Sequence, residues 1–358
     1  MIINKHNIRL LIYKFAAFIG IFQPYREIER QTVKGKKLLL TGDIPQPLNT
    51  LELDERFKCH YHQEYKIPRP SQEVVDNLLY TPQGMGWVKN TLYERYSLRY
   101  PTIKQLVKPF SHTASLSQGT VVQAKIPYSY GDWVTEHLVS ITQALPLNLP
   151  LLLPKSLMAK SYVRRDLALL GIDAVAVEQP TLIRKATVLH KKMFFFNWTA
   201  NEVTAYRQAF KIDPIRPRPG SILYISREGE INERSGRPYP SKLTAEIMRE
   251  LGAKVVFAQQ TTYEDYCALA EEAETIVADH GAAMFNLLLW NTKNVIELFS
   301  NQHWYNCFLF LTDALNISNH ALIKTDDIEP LELRRKLVHH LDKFGVEINQ
   351  NSKERSLF

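Results

Sequence analysis

Short continuous apolar runs alternate along the chain with stretches whose apolar positions fall three and four residues apart. Runs of four to six such residues, bounded by Gly, Pro or Asp, suit strands buried on both faces. Residues 37–41 (KLLLT), 120–124 (TVVQA), 149–153 (LPLLL) and 173–177 (DAVAV) fit that pattern. Residues 156–170 carry helical spacing and stop at Gly171, a normal residue just past a helix end. A second series begins at 221–226 (SILYIS), followed by a helical pattern over 241–251 that Gly252 closes. Strands are then expected at 254–257, 275–278 and 295–298. Between them lie a helix from the capping-box spacing at Thr261–Glu264 to about Glu272, and another from Met284 to Trp290. A helical pattern from Leu331 ends the periodic part, while residues 54–118, rich in Tyr and Pro, give no clear period.

Strand–helix–strand order predicts an α/β fold with parallel sheet. Residues 211–220 (KIDPIRPRPG) hold three prolines and a glycine, which marks a linker and a hinge near 215. The expected division is an N-terminal apolar and basic helix at 1–30, an α/β domain at 31–212, a second at 213–335 and a C-terminal helix at 336–358. In the first of these, residues 8–22 are too short and too interrupted by Lys14 to span a bilayer, which needs about 20 apolar residues. No small-residue cleavage site follows them. Two readings stand: an amphipathic helix on an anionic membrane face, with Lys5, Arg9, Lys14 and Arg26 near headgroups, or a helix packed on its own domain.

Composition narrows the class. A 45% hydrophobic and 23% charged content over 358 residues excludes a disordered tail, a collagen-like fibre and a multi-span membrane protein. The net charge of +7 favours anionic partners without demanding nucleic acid; the basic residues are dispersed among acids and no reading motif occurs. Cys59, Cys267 and Cys307 form no CxxC pair, which argues for a reducing cytoplasm. His60-Tyr61-His62 and His339-His340 have no companions at ligand spacing, so no metal site is expected.

Three places carry candidate chemistry. Asp279-His280-Gly281-Ala282-Ala283 lies between a strand end and a helix start, where small residues let a phosphate approach backbone N–H groups. His280 could donate there to a phosphate oxygen or to developing negative charge. Arg227 leaves the strand at 222–226 and opens a loop with Arg234, Arg237 and Lys242; a guanidinium fork suits a diphosphate. Asp132 and Glu136 sit at a strand-to-helix junction, where a carboxylate serves either as a general base or as an ordinary first-turn acid. No Asp-x-Asp pair, GxxxxGK[ST] loop, GxGxxG fingerprint or GxSxG elbow is present.

The run from ILYISR (222–227) to ADHGAAMFN (278–286) and VIELF (295–299) resembles glycosyltransferase family 61. The residues that carry the resemblance are Ser226, Arg227, His280, Gly281, Ala282, Asn286 and Glu297. Asp132-Trp133 with Glu136 stands where the family tends to have a His-Trp pair followed by an acid. The resemblance implies a GT-B-like fold, two facing Rossmann-like domains with an interdomain cleft. It also implies inverting, metal-independent transfer from a nucleotide sugar, with no cofactor. Arg227, Gly281, Ala282, Asn286, Arg234 and Lys242 would then bind the donor, Glu297 its ribose hydroxyls, and Glu136 or Asp132 would take the acceptor's proton. The bacterial branch that builds capsular and surface polysaccharide fits best, with a saccharide or lipid-linked saccharide acceptor and a cytoplasmic location, peripheral at the inner membrane. The alternative is a non-catalytic polysaccharide-binding or assembly protein on the same fold.

Overall fold

A computed structural model describes residues 30–34, 39–43, 64–68, 71–89, 91–93, 114–122, 130–145, 148–190, 198–229, 239–301, 304–305 and 307–348, together with 11, 15, 18–19, 109 and 111. The chain divides into two compact units: 1–31 with 67–194, and 32–66 with 195–358. In chain order, β1 (Arg30–Lys34), β2 (Leu39–Gly42) and β3 (Glu64–Pro68) come first. β1 and β3 pair with each other, so two of the crossings from one unit to the other fall within one strand pair.

Unit 1 is built on a seven-stranded mixed sheet in the order β6-β5-β4-β10-β7-β8-β9. Its strands are β4 (Ser71–Tyr80), β5 (Gly86–Val88), β6 (Thr91–Tyr93), β7 (Ala114–Val122), β8 (Leu151–Pro154), β9 (Ala174–Val177) and β10 (Thr181–His190). β10 pairs antiparallel with β4 and parallel with β7, which makes it the centre of the sheet. Val75, Leu78, Val121, Leu152, Ile183 and Val188 meet in its core. Within the 54–118 stretch that shows no period, β3, β4, β5, β6 and the start of β7 are nonetheless strand. After β7 comes a helical segment of unusual form: Tyr130–Asp132 in α-helix, Trp133–Leu138 in π-helix and Val139–Ala144 in α-helix again. The helical pattern at 156–170 resolves into Lys155–Met158 and Ser161–Leu169.

Unit 2 holds a six-stranded, wholly parallel sheet in the order β12-β11-β13-β14-β15-β2. The strands are β11 (Ile222–Ser226), β12 (Lys254–Phe257), β13 (Thr275–Asp279), β14 (Asn294–Phe299) and β15 (Asn319–Lys324), with β2 at the edge. β11, β13 and β14 are buried along their whole length, as strands covered on both faces must be. The helices Ser241–Glu250 and Pro330–Lys343 pack Ala245, Met248, Leu333, Leu337 and Leu341 into the core beside Ile296 and Ile323. Reciprocal capping boxes start two helices: Thr199 with Glu202, and Thr262 with Asp265, the latter one residue later than the spacing from Thr261 suggests.

Four expectations change in unit 2. The 37–41 strand, placed by sequence in the first domain, is β2, the sixth strand of this sheet. The proline-rich 211–220 segment is irregular but lies inside unit 2, joining the helix Ala200–Ala209 to β11; the chain changes unit at 194/195. The expected helix from Met284 is instead a 3₁₀ segment, Ala282–Leu289. The C-terminal helix runs over Pro330–Lys343, earlier than the 336–358 assigned to it. Among the described residues no helix is long and apolar enough to cross a membrane.

Candidate active site

Strand order fixes where a ligand is expected. From β11 the chain passes outward to β12 and then returns to β13 on the other side of β11. In open parallel sheets, ligands bind beyond the carboxyl ends at such a reversal. Arg227 directly follows β11 and His280 directly follows β13, so both stand on that crevice.

Asp279, the last residue of β13, holds this place together. Its carboxylate accepts from the Ser241 hydroxyl at 2.6 Å, the Arg227 backbone N–H at 3.0 Å and the Tyr224 hydroxyl at 3.1 Å. One acidic side chain thereby ties β11, β13 and the start of the helix Ser241–Glu250 to one another. Burial raises its pKa to about 6, against the lowering effect of those hydrogen bonds. Burial and the nearby carboxylate push Tyr224 well above the usual phenol value.

Arg227 is half-buried, and its Nη1 donates to the His280 carbonyl at 2.9 Å. The guanidinium lies directly over Gly281, where a Cβ would collide with Nη1. Gly281 has an extended backbone (φ 165°) that any residue adopts, so the close approach of Arg227 is what requires glycine. The Tyr239 ring lies 5.8 Å from the guanidinium carbon and completes the setting.

His280 and Glu297 form the chemical centre. His280 Nδ1 lies 2.5 Å from Glu297 Oε1, and His320 Nε2 lies 2.9 Å from Glu297 Oε2. All three side chains are almost wholly buried. Burial alone would raise the Glu297 pKa; hydrogen bonds and charge from the two histidines outweigh it and hold the carboxyl at about 2. Both Glu297 oxygens are thus committed to imidazoles, and the side chain backs His280 rather than presenting itself to ribose hydroxyls.

Asn286 is buried and donates to the Ala283 carbonyl at 2.9 Å, stiffening the 3₁₀ turn from within. Ala282 and Ala283 are partly exposed at the start of that turn. Arg207, from the helix Ala200–Ala209, donates to the carbonyls of Leu288 at 2.9 Å and Trp290 at 2.7 Å and so satisfies the far end of the same segment. Lys242 is exposed in the first turn of the helix that Ser241 opens. Arg234 and Arg237 lie outside the described residues.

In unit 1, Asp132 and Glu136 are half-buried, one turn apart on the α-to-π transition. Between them Trp133 is fully buried and donates its indole N–H to Asp166 at 2.8 Å; Asp166 is also gripped by Arg165. π-Helical turns are rare and frequently occur at functional sites.

Sequence reasoning brought together Arg227, His280 and Gly281 but gave no role to Asp279, Tyr224, Ser241, Arg207 or His320. Asp279 was visible as a polar residue ending an apolar strand. His320 was hidden in NHALIK, a strand with no local mark of its partner.

Fold and site together define an α/β protein with a basic, histidine-bearing site on the carboxyl edge of a parallel sheet. Residues 130–296 match the model of the family described as Glycosyltransferase 61. The chain carries a domain of glycosyltransferase family 61 over those residues, and that domain marks it as a glycosyltransferase. No curated protein matches the chain.

Proposed function

We propose that the chain transfers a sugar, with inversion and without a required metal, from a nucleotide sugar to a growing surface polysaccharide or glycolipid, on a GT-B-like frame. The observation that carries this reading is Arg227, laid over Gly281 and bonded to the His280 carbonyl at the strand reversal. A cation and a histidine fixed there suit the diphosphate of a nucleotide donor.

In the proposed step the acceptor oxygen attacks the anomeric carbon as the bond from that carbon to the diphosphate breaks. The nucleoside diphosphate leaves with the electron pair, stabilised by Arg227. The acceptor's proton passes to His280 Nε2, and Glu297 stabilises the imidazolium that forms. Asp132 and Glu136 are the other bases proposed from sequence. His280→Asn, Asp132→Asn and Glu136→Gln discriminate among them by which one lowers kcat steeply.

The direct test is thermal unfolding against UDP, GDP, CMP and their sugar conjugates, with and without EDTA, for the wild type and Arg227→Ala. A ligand that binds only the folded state stabilises it by about 3 kcal/mol at a hundredfold excess over Kd. Stabilisation that survives EDTA and disappears in Arg227→Ala supports the reading. No stabilisation of a folded sample by any nucleotide overturns it in favour of a polysaccharide-binding or assembly role.

Location belongs to the same proposal: a cytoplasmic protein resting peripherally on the anionic face of the inner membrane. Leu11, Phe15, Phe18 and Ile19 fall at helical spacing and are between 51% and 87% exposed. Lys5, Arg9 and Lys14 occur in the same stretch of sequence, a composition suited to anionic headgroups.

A further inference from the structure

Three neighbouring strands of unit 2 each deliver one titratable side chain to a single buried cluster. His280 stands just past β13, Glu297 in β14 and His320 in β15. Glu297 has two oxygens, and each faces a different imidazole. An ionised carboxylate only accepts, so both nitrogens that face it carry hydrogen. His280 is therefore held as the Nδ1–H tautomer, and the lone pair of its neutral ring lies on Nε2. No hydrogen bond reaches Nε2 from the described residues. Behind Glu297, the far nitrogen of His320, Nδ1, lies 3.0 Å from the Thr312 hydroxyl, which is also 3.1 Å from the Leu309 carbonyl.

We propose that His320 is a positioning residue of the active site: acting through Glu297, it fixes the tautomer and orientation of His280 without touching substrate. His280 bonds one Glu297 oxygen and leaves the other to His320. Without His320 that second oxygen is a buried acceptor with no donor, a costly state. The carboxyl escapes it by rotating or by taking up a proton, and a protonated Glu297 donates to His280 Nδ1. The hydrogen of His280 then moves to Nε2, and the ring can no longer accept a proton there. The same logic underlies metal-site histidines, whose outer partners set which nitrogen is available. The catalytic half of this inference rests on His280 as proton acceptor; the tautomer half does not.

The test uses the full chain labelled with ¹⁵N at histidine, with His280 assigned by comparison with His280→Asn. Long-range ¹H–¹⁵N spectra report the tautomer directly. The wild type is expected to show His280 as Nδ1–H. His320→Phe is expected to shift it to Nε2–H, and His320→Gln, whose amide can again donate to Glu297, to restore the wild-type pattern. With the sugar conjugate that stabilises the protein, His320→Phe should lower kcat at least about tenfold, a loss of about 1.4 kcal/mol. KM should stay near the wild-type value, and His320→Gln should recover kcat. If His320→Phe fails to fold, His320→Leu carries the same test, since it too removes the donor to the second Glu297 oxygen in a smaller side chain. An unchanged His280 tautomer in a folded variant overturns the proposal, leaving His320 a packing residue. A shifted tautomer with unchanged kcat upholds the positioning and overturns the base role of His280.

Discussion

Gly281 and Arg227 make one feature out of two that look separate in sequence. Gly281→Ala asks for no unusual backbone, and its methyl meets only the end of a flexible guanidinium. The variant is expected to fold with nearly wild-type Tm yet lose nucleotide-induced stabilisation as Arg227→Ala does, measured in the same thermal assay. Asp279 makes a second prediction, on pH. Its pKa rises from 3.8 unfolded to about 6 folded, so between those values the folded protein keeps a proton that the unfolded chain has released. Its contribution to stability is complete below about pH 4 and is lost as pH rises through 6, on the order of 3 kcal/mol. Glu297 acts in the opposite sense, with stability lost as pH falls from 4.5 toward 2. Denaturant titrations of wild type and Asp279→Asn from pH 4 to 7 should therefore differ in slope, with the fall absent in the variant. Residues at strand ends were legible because a polar side chain closing an apolar run is conspicuous. His320 was not, because its meaning comes from Glu297, 23 positions away, across a strand pairing that spacing alone does not reveal.

Elements tell the same story at a coarser grain. The apolar runs of β11, β13 and β14 were readable because strands buried on both faces are apolar throughout. β10 was not, although it is the centre of its sheet, because the exposed Arg184-Lys185 pair interrupts its pattern. Met284 to Trp290 reads as a helix, yet all seven residues are buried and offer no amphipathic period. Eight residues is long for 3₁₀ geometry, which ordinarily persists for about three or four. Outside contacts hold it, above all the two Arg207 hydrogen bonds to its far end. Arg207→Ala should lose about 2 kcal/mol, lower Tm by roughly 5 °C and weaken nucleotide binding, since the turn after Gly281 would lose its anchor. Paired melting and nucleotide titration check this; a lower Tm with undiminished affinity would separate the anchor from the site.

At the scale of the whole molecule, strand–helix alternation announced an α/β chain with parallel sheet, while composition only excluded other classes. The division of the chain was not legible, because β2 is far in sequence from the strands it joins. The exposed Leu11, Phe15, Phe18 and Ile19 yield a prediction at this scale. The protein should sediment with vesicles of phosphatidylcholine and phosphatidylglycerol but not of phosphatidylcholine alone, more weakly at high salt. Phe15→Glu with Phe18→Glu should abolish the association while leaving nucleotide binding intact. β2, at the edge of its sheet, is fixed at its carboxyl end. A Cβ on Gly42 would collide with the Leu322 carbonyl, and Asp43 accepts from the Lys324 N–H at 2.8 Å and from Lys336 at 2.8 Å. The recognisable family segment, 130–296, contains neither β2 nor β15 and stops one residue short of Glu297. Even a fragment from 195 to 358 would leave the flank of β15 without its neighbour, with backbone N–H and C=O groups open to pairing between copies. Such a fragment should elute as aggregates, and adding residues 32–66 back in trans should rescue it, because the inherited signature and the smallest self-sufficient body are cut from this chain at different places.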